Sequence, residues 1–154
     1  MPRKSNNAAG APAPKPPLTF MPHGEYKLRL EGRVLVSELV GPWNLELVNA
    51  WMKDAHPYVK QLAATGPHVH MTIVTGSLLC PPDALDRLAE VIVYTTAKMR
   101  CVGNPVVAAA NVEGRALFEP MYARIYDGSP PRGLFLDYES AMAWSLELLA
   151  AEGF

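Results

Sequence analysis

The chain reads as an α/β fold: a small, mixed, mostly parallel five-stranded sheet ordered β-β-α-β-α-β-α-β-α, with an N-terminal antiparallel edge strand. Three observations predict this. Short β-rich runs alternate with longer stretches whose apolar residues recur every three or four positions. The first two runs follow each other directly, with Gly32 allowing a tight reversal between them. The 154 residues suit one domain with one core, and strands alternating with helices imply right-handed crossovers and a mostly parallel sheet.

Each element has its own signal. Tyr26, Leu28 and Leu30 alternate with Lys27, Arg29 and Glu31, the pattern of a half-exposed strand, and Val34 to Val40 is its hairpin partner. Gly41-Pro42-Trp43 breaks the strand, and Asn44 is a good N-cap. Leu45, Val48, Met52, Ala55, Val59 and Leu62 then form the apolar stripe of an amphipathic helix. Pro57 lies inside it and removes a backbone donor, which predicts a kink or break near His56. Gly66-Pro67 ends the segment.

His68 to Thr75 is the next strand. Pro81 and Pro82 stand at a helix start with Asp83 in the first turn. Leu85, Leu88, Ile92 and Met99 carry the helical spacing on to Cys101, with Gly103 as the stop. Pro105 to Ala110 reads as a strand covered on both faces. A helix from about Arg115 to Tyr126 follows, with Pro120 as a kink, and then a loop at Gly128-Ser129-Pro130-Pro131. Leu134 to Leu136 is a short last strand, Asp137 a cap, and Ala141 to Ala150 a final helix closed by Gly153. Met71, Met99 and Met121 are read as core.

Residues 1–22 form a separate, Pro-rich leader expected to be disordered, and residues 23–154 the single folded domain. The leader holds Arg3, Lys4 and Lys15 and no acid. The 11 bases that remain of 14 face 15 acids, so the folded part is acidic. That balance argues against nucleic acid, whose binding depends on clustered Lys and Arg. No apolar run reaches the roughly 18 residues of a membrane span, and no signal peptide is visible. With only Cys80 and Cys101, a reducing cytoplasm is the expected compartment.

Two stretches resemble a known family. Val36-Ser37-Glu38-Leu39-Val40-Gly41-Pro42-Trp43-Asn44, entering the first helix, is one. The other is Leu134-Phe135-Leu136-Asp137-Tyr138-Glu139-Ser140-Ala141-Met142-Ala143-Trp144. Both are similar to the STAS and SpoIIAA-like families, from Tyr26 to the C-terminus. The resemblance implies a non-enzymatic regulatory or binding module. The phosphorylatable serine of STAS antagonists corresponds to the stretch Thr75 to Pro82, where the family's aspartate is missing.

Catalytic signatures are weak. His68 and His70 share a strand face, a spacing metal sites use, but no third ligand is in view. Cys80 stands at a helix start, where the dipole favours thiolate, without a resolving cysteine at the usual spacing. Thr75-Gly76-Ser77 lacks the Gly-x-Ser-x-Gly elbow, and no glycine-rich phosphate loop occurs. No cofactor is expected. Ligands of parallel sheets favour the edge at the strand C-termini, so Trp43, Asn44, Ser77, Cys80, Asn111 and Arg115 are the candidate binding residues. There, helix N-termini and Arg115 would hold an anion. The expected function is binding of a protein partner or a small ligand. The alternative is a small lipid- or anion-binding protein, or an enzyme, using these loops. If copies pair, the helix faces with Trp51 or Trp144 are the expected homodimer surfaces.

Overall fold

The computed structural model describes residues 21–125 and 132–154. Along them run β1 (Glu25–Glu31), β2 (Val34–Val40), α1 (Leu45–Ala63), β3 (His68–Thr75) and α2 (Pro82–Lys98). Then come β4 (Cys101–Val107), α3 (Arg115–Ile125), β5 (Arg132–Phe135) and α4 (Tyr138–Ala151). The strands form one sheet in the order β1-β2-β3-β4-β5, with β1 antiparallel to β2 and the rest parallel. The α/β class, the element order and the antiparallel edge strand all stand as the sequence predicts.

The strand order explains how the layers fill. Each crossover steps one strand onward in the same direction, so crossovers of one hand all land on one face. Alternation along the strands then feeds two cores. Leu35, Leu39 and Val74 point to α1, α2 and α3, where Leu47, Trp51, Ile92, Phe118 and Tyr122 meet them. Val34, Val36, Val69, Met71 and Val107 point the other way, to Ala141 and Leu149 of α4. Gly103 gives α4 its seat: a Cβ there would stand 2.5 Å from Leu148 Cδ1.

Several details differ from expectation. α1 runs unbroken through Pro57, which sits on its exposed face, so water can serve the Lys53 carbonyl left unpaired while the buried stripe holds the helix. α3 continues through Pro120 over the range expected for it. α2 ends at Lys98 because Arg100 adopts a left-handed φ of 59° and turns the chain. Cys101 therefore opens β4 instead of closing a helix, and Ala108, Ala109 and Ala110 fall outside the strand. α4 starts at Tyr138, directly after its cap, where Asp137 accepts from Ser140 N at 2.7 Å. β5 ends at Phe135, leaving Leu136 in the turn.

The Pro-rich leader lies outside the described residues except for its last two. Of these, Met21 is tied down: its carbonyl accepts from Asn44 Nδ2 at 2.9 Å. The loop expected at Gly128 to Pro131 also lies outside them. No helix among the described residues is long and apolar enough to cross a membrane.

Candidate functional site

At the C-terminal edge of the sheet the loops are sewn to one another. Gly41 N donates to Thr75 O at 3.0 Å, Trp43 N to Leu79 O at 3.3 Å, and Leu78 N to Glu113 O at 2.8 Å. Gly41 is required there, because a Cβ would stand 1.9 Å from Ser77 O. The predicted residues fall into this stitching. Trp43, expected in an open loop, is 4% exposed and packs edge-on against Trp51 with ring centroids 6.5 Å apart. Asn44 caps α1 by accepting from Leu47 N, and it also accepts from His23 N.

Ser77 is buried and accepts from Leu79 N at 3.1 Å. Arg115 Nε donates to Ala108 O at 3.0 Å, fastening α3 to the end of β4. Asn111 is exposed and its side chain makes no hydrogen bond among the described residues. The Cys80 thiol is pushed up to about 11 by burial and then by the Asp83 charge, which makes it a poor thiolate. Trp43, Asn44 and Cys80 share the lining of a shallow hollow of about 350 Å3; Ser77, Asn111 and Arg115 do not line it.

A physical reason lies behind this edge. Ligands gather there in sheets whose strand order reverses, because the reversal opens a crevice between helices of opposite faces. This sheet runs through from β1 to β5 without reversal. Its loops close on each other instead.

A deeper-lined concavity than this hollow lies on the helical face. A groove of about 500 Å3 runs between α1 and α2, walled by Met52, Ala55 and Val59 on one side and Val91 and Tyr94 on the other. Its floor is His70 of β3, a half-buried ring. Behind that ring a polar chain runs into the core. Trp51 Nε1 donates to Ser37 Oγ at 2.9 Å, and Ser37 Oγ lies 2.7 Å from His70 Nε2. An indole N–H only donates, so Ser37 accepts from Trp51; its hydroxyl has no other partner than His70 among the described residues, so its own proton goes to His70 Nε2. The ring proton then sits on Nδ1.

Burial, and next the neighbouring His68, draw the His70 pKa down to about 3. His70 is therefore neutral near pH 7, a hydrogen-bond donor held in one tautomer against the edge of Trp51, 5.7 Å between centroids.

His68, one turn of the pleat away, is fully buried. Neither of its ring nitrogens makes a hydrogen bond, although the Met99 carbonyl lies near enough to favour the charged form. Burial and then the Arg33 charge still lower it to about 4. Among the described residues no three His, Cys, Asp or Glu side chains stand together as a metal site. Both cysteines are free, and burial raises the Cys101 thiol to about 11.

Alternation puts His68 and His70 on one strand face, but Ser37 carried no signal of its own, and Trp51, expected on a surface where copies pair, is buried in the core. Their link to His70 exists only in the register that sets Leu35 beside His70. No family model matches the chain, and no curated protein or solved structure matches it.

Proposed function

We propose that this chain is a non-enzymatic binding module of the STAS or SpoIIAA-like kind, taking a small ligand into the groove between α1 and α2. The observation that carries the proposal is the chain Trp51–Ser37–His70, which ends on a ring of fixed tautomer at the groove floor. Small-molecule sites are concave, mostly apolar and supplied with a few directed polar groups, at volumes of about 300–1,000 Å3. The groove combines these features. The likeness of Val36–Asn44 and Leu134–Trp144 to the family supports the family part of the reading.

The same geometry argues against a hydrolase reading of Ser37 and His70. Ser37 is fully buried beneath the groove and His70 is a weak base, so neither suits attack on a bound substrate.

A thermal-shift screen with metabolites, lipids and anions, followed by calorimetric titration of the hits, tests the proposal. Val91→Trp fills the groove from its partly exposed wall and should abolish binding with little change in melting temperature. Ser37→Ala should weaken binding about tenfold as His70 loses its fixed tautomer. It should also cost about 1–3 kcal/mol of stability, because Trp51 Nε1 is left buried without an acceptor. Hits that bind Val91→Trp as tightly as the parent would place the ligand elsewhere and end this reading.

A further inference from the structure

The groove is charged at one end only. Because β2, β3 and β4 are parallel, α1 and α2 return between them side by side and point the same way. Asn49 and Lys53, in the N-terminal half of α1, therefore meet Arg87 in the N-terminal half of α2. Arg87 Nε donates to Asn49 Oδ1 at 3.2 Å and spans the gap. Val59, Tyr94 and Thr95 line the other end.

No Asp or Glu lines the groove. Asp54, the acid that follows Lys53, is turned away to accept from Tyr26 of β1. Glu90 takes Arg87 Nη1 at 2.9 Å but leaves Nη2 without a protein partner among the described residues. Lys53 is exposed and makes no ion pair among them.

Resting on the groove reading above, we propose that the occupant is a single-chain amphiphile with one anionic head. The head, a carboxylate or a phosphate, lies between Lys53 and Arg87, and the apolar body lies along Met52, Val59, Val91 and Tyr94. The argument is charge complementarity. Lys53 has no acid partner, Arg87 keeps Nη2 open beyond its Glu90 pair, and together they stand at one mouth of a mainly apolar channel, where their free donors suit either head group. The folded part of the chain is acidic overall, whereas the lining of the groove holds cations and no acid.

Calorimetric titration of the full chain with decanoate and decyl phosphate tests the proposal. Decanol supplies the tail without charge, and acetate and inorganic phosphate supply the charge without a tail. Decanoate or decyl phosphate should bind, and whichever binds tighter identifies the head. Decanol should bind at least about tenfold more weakly, and the tailless anions more weakly still. Lys53→Gln/Arg87→Gln should weaken the anionic amphiphile about tenfold or more and leave decanol unchanged. Lys60→Gln, an exposed change on α1 outside the groove, should have no effect. Thermal melting without ligand checks that each variant is folded.

Equal binding of decanol and decanoate, or full binding by the double variant, would overturn the anionic head while Val91→Trp still reports on the groove. Binding of both amphiphiles to Val91→Trp at parental strength would overturn the groove itself. Absence of binding by both amphiphiles would overturn this inference, with the groove judged by the hits of the wider screen.

Discussion

His68 and His70 stand two residues apart on one strand face, and both are uncharged near pH 7 because charging either would strand a proton in apolar surroundings. In the unfolded chain each takes up its proton near pH 6.5, while in the fold they resist until about 4 and about 3. Between those limits the unfolded state binds more protons, so stability is full above about pH 6.5 and falls as the pH drops below it. The slope reaches at most about 1.4 kcal/mol per pH unit for each histidine. Glu31, held low first by the Tyr138 hydroxyl, adds its own loss only below the ordinary carboxylate range. Urea unfolding at a series of pH values should show the decline between about pH 6.5 and about pH 4.5, and His70→Gln should make it shallower. A flat profile in that window would mean that both rings charge freely in the fold. At this scale the sequence was most legible where a residue acts on its own neighbours, as Asn44 and Asp137 do in capping the turn that follows them. It was least legible where partners meet through strand register, as Ser37 and His70 do across 33 positions. Trp43 misled for a related reason: its place after a strand suggested a loop side chain, but the loops there fold inward over the core.

Among the elements, α1 shows how packing overrides a local breaker. Six buried residues, Leu47, Val48, Trp51, Ala55, Val59 and Leu62, anchor one face along the whole helix, while Pro57 occupies the opposite, exposed face. The cost of the proline is one missing bond to the Lys53 carbonyl and the steric pressure of its ring, both on the solvent side. Pro57→Ala should therefore stabilise the protein, by about 1–3 kcal/mol, since the backbone there is already helical and alanine restores the donor. Thermal and urea unfolding measure this, and an unchanged or lowered midpoint would show that Pro57 contributes something the helix needs. The end of α2 was legible only in part. Met99 lies at helical spacing from Ile92 and is buried, but it reaches the core from the turn and not from the helix. What ends the helix is the left-handed backbone of Arg100, a residue type that gives no such warning in sequence. Glycine or asparagine at that position would have marked the stop.

Across the whole molecule, one sheet serves two unequal layers. α1, α2 and α3 cover one face, and among the described elements α4 alone packs on the other. Such an arrangement raises the question of whether α4 could leave by itself. The strands argue that it does not: Val34, Leu35 and Val36 are consecutive, all fully buried, and divide between the two cores. Loss of α4 would expose Val34, Val36, Val69 and Met71, the inward half of the same strands that α1 and α2 rest on. Apolar side chains of this kind are worth about 1.5–3 kcal/mol each when fully buried, so exposing four of them would consume most of a domain's net stability of about 5–15 kcal/mol. The two layers should therefore unfold as one. Leu149→Ala cuts the α4 core and Leu47→Ala the α1 core, and each should cost about 2–5 kcal/mol. In urea each variant should shift the midpoint of a single transition with the slope unchanged, whether followed by tryptophan fluorescence or by far-ultraviolet circular dichroism. Trp51 reports on the first layer and Trp144, tilted against Phe135 at 5.4 Å between centroids, on the second. A Leu149→Ala protein that loses the Trp144 environment at lower urea than its overall secondary structure would overturn this view. It would make α4 a separately docking element.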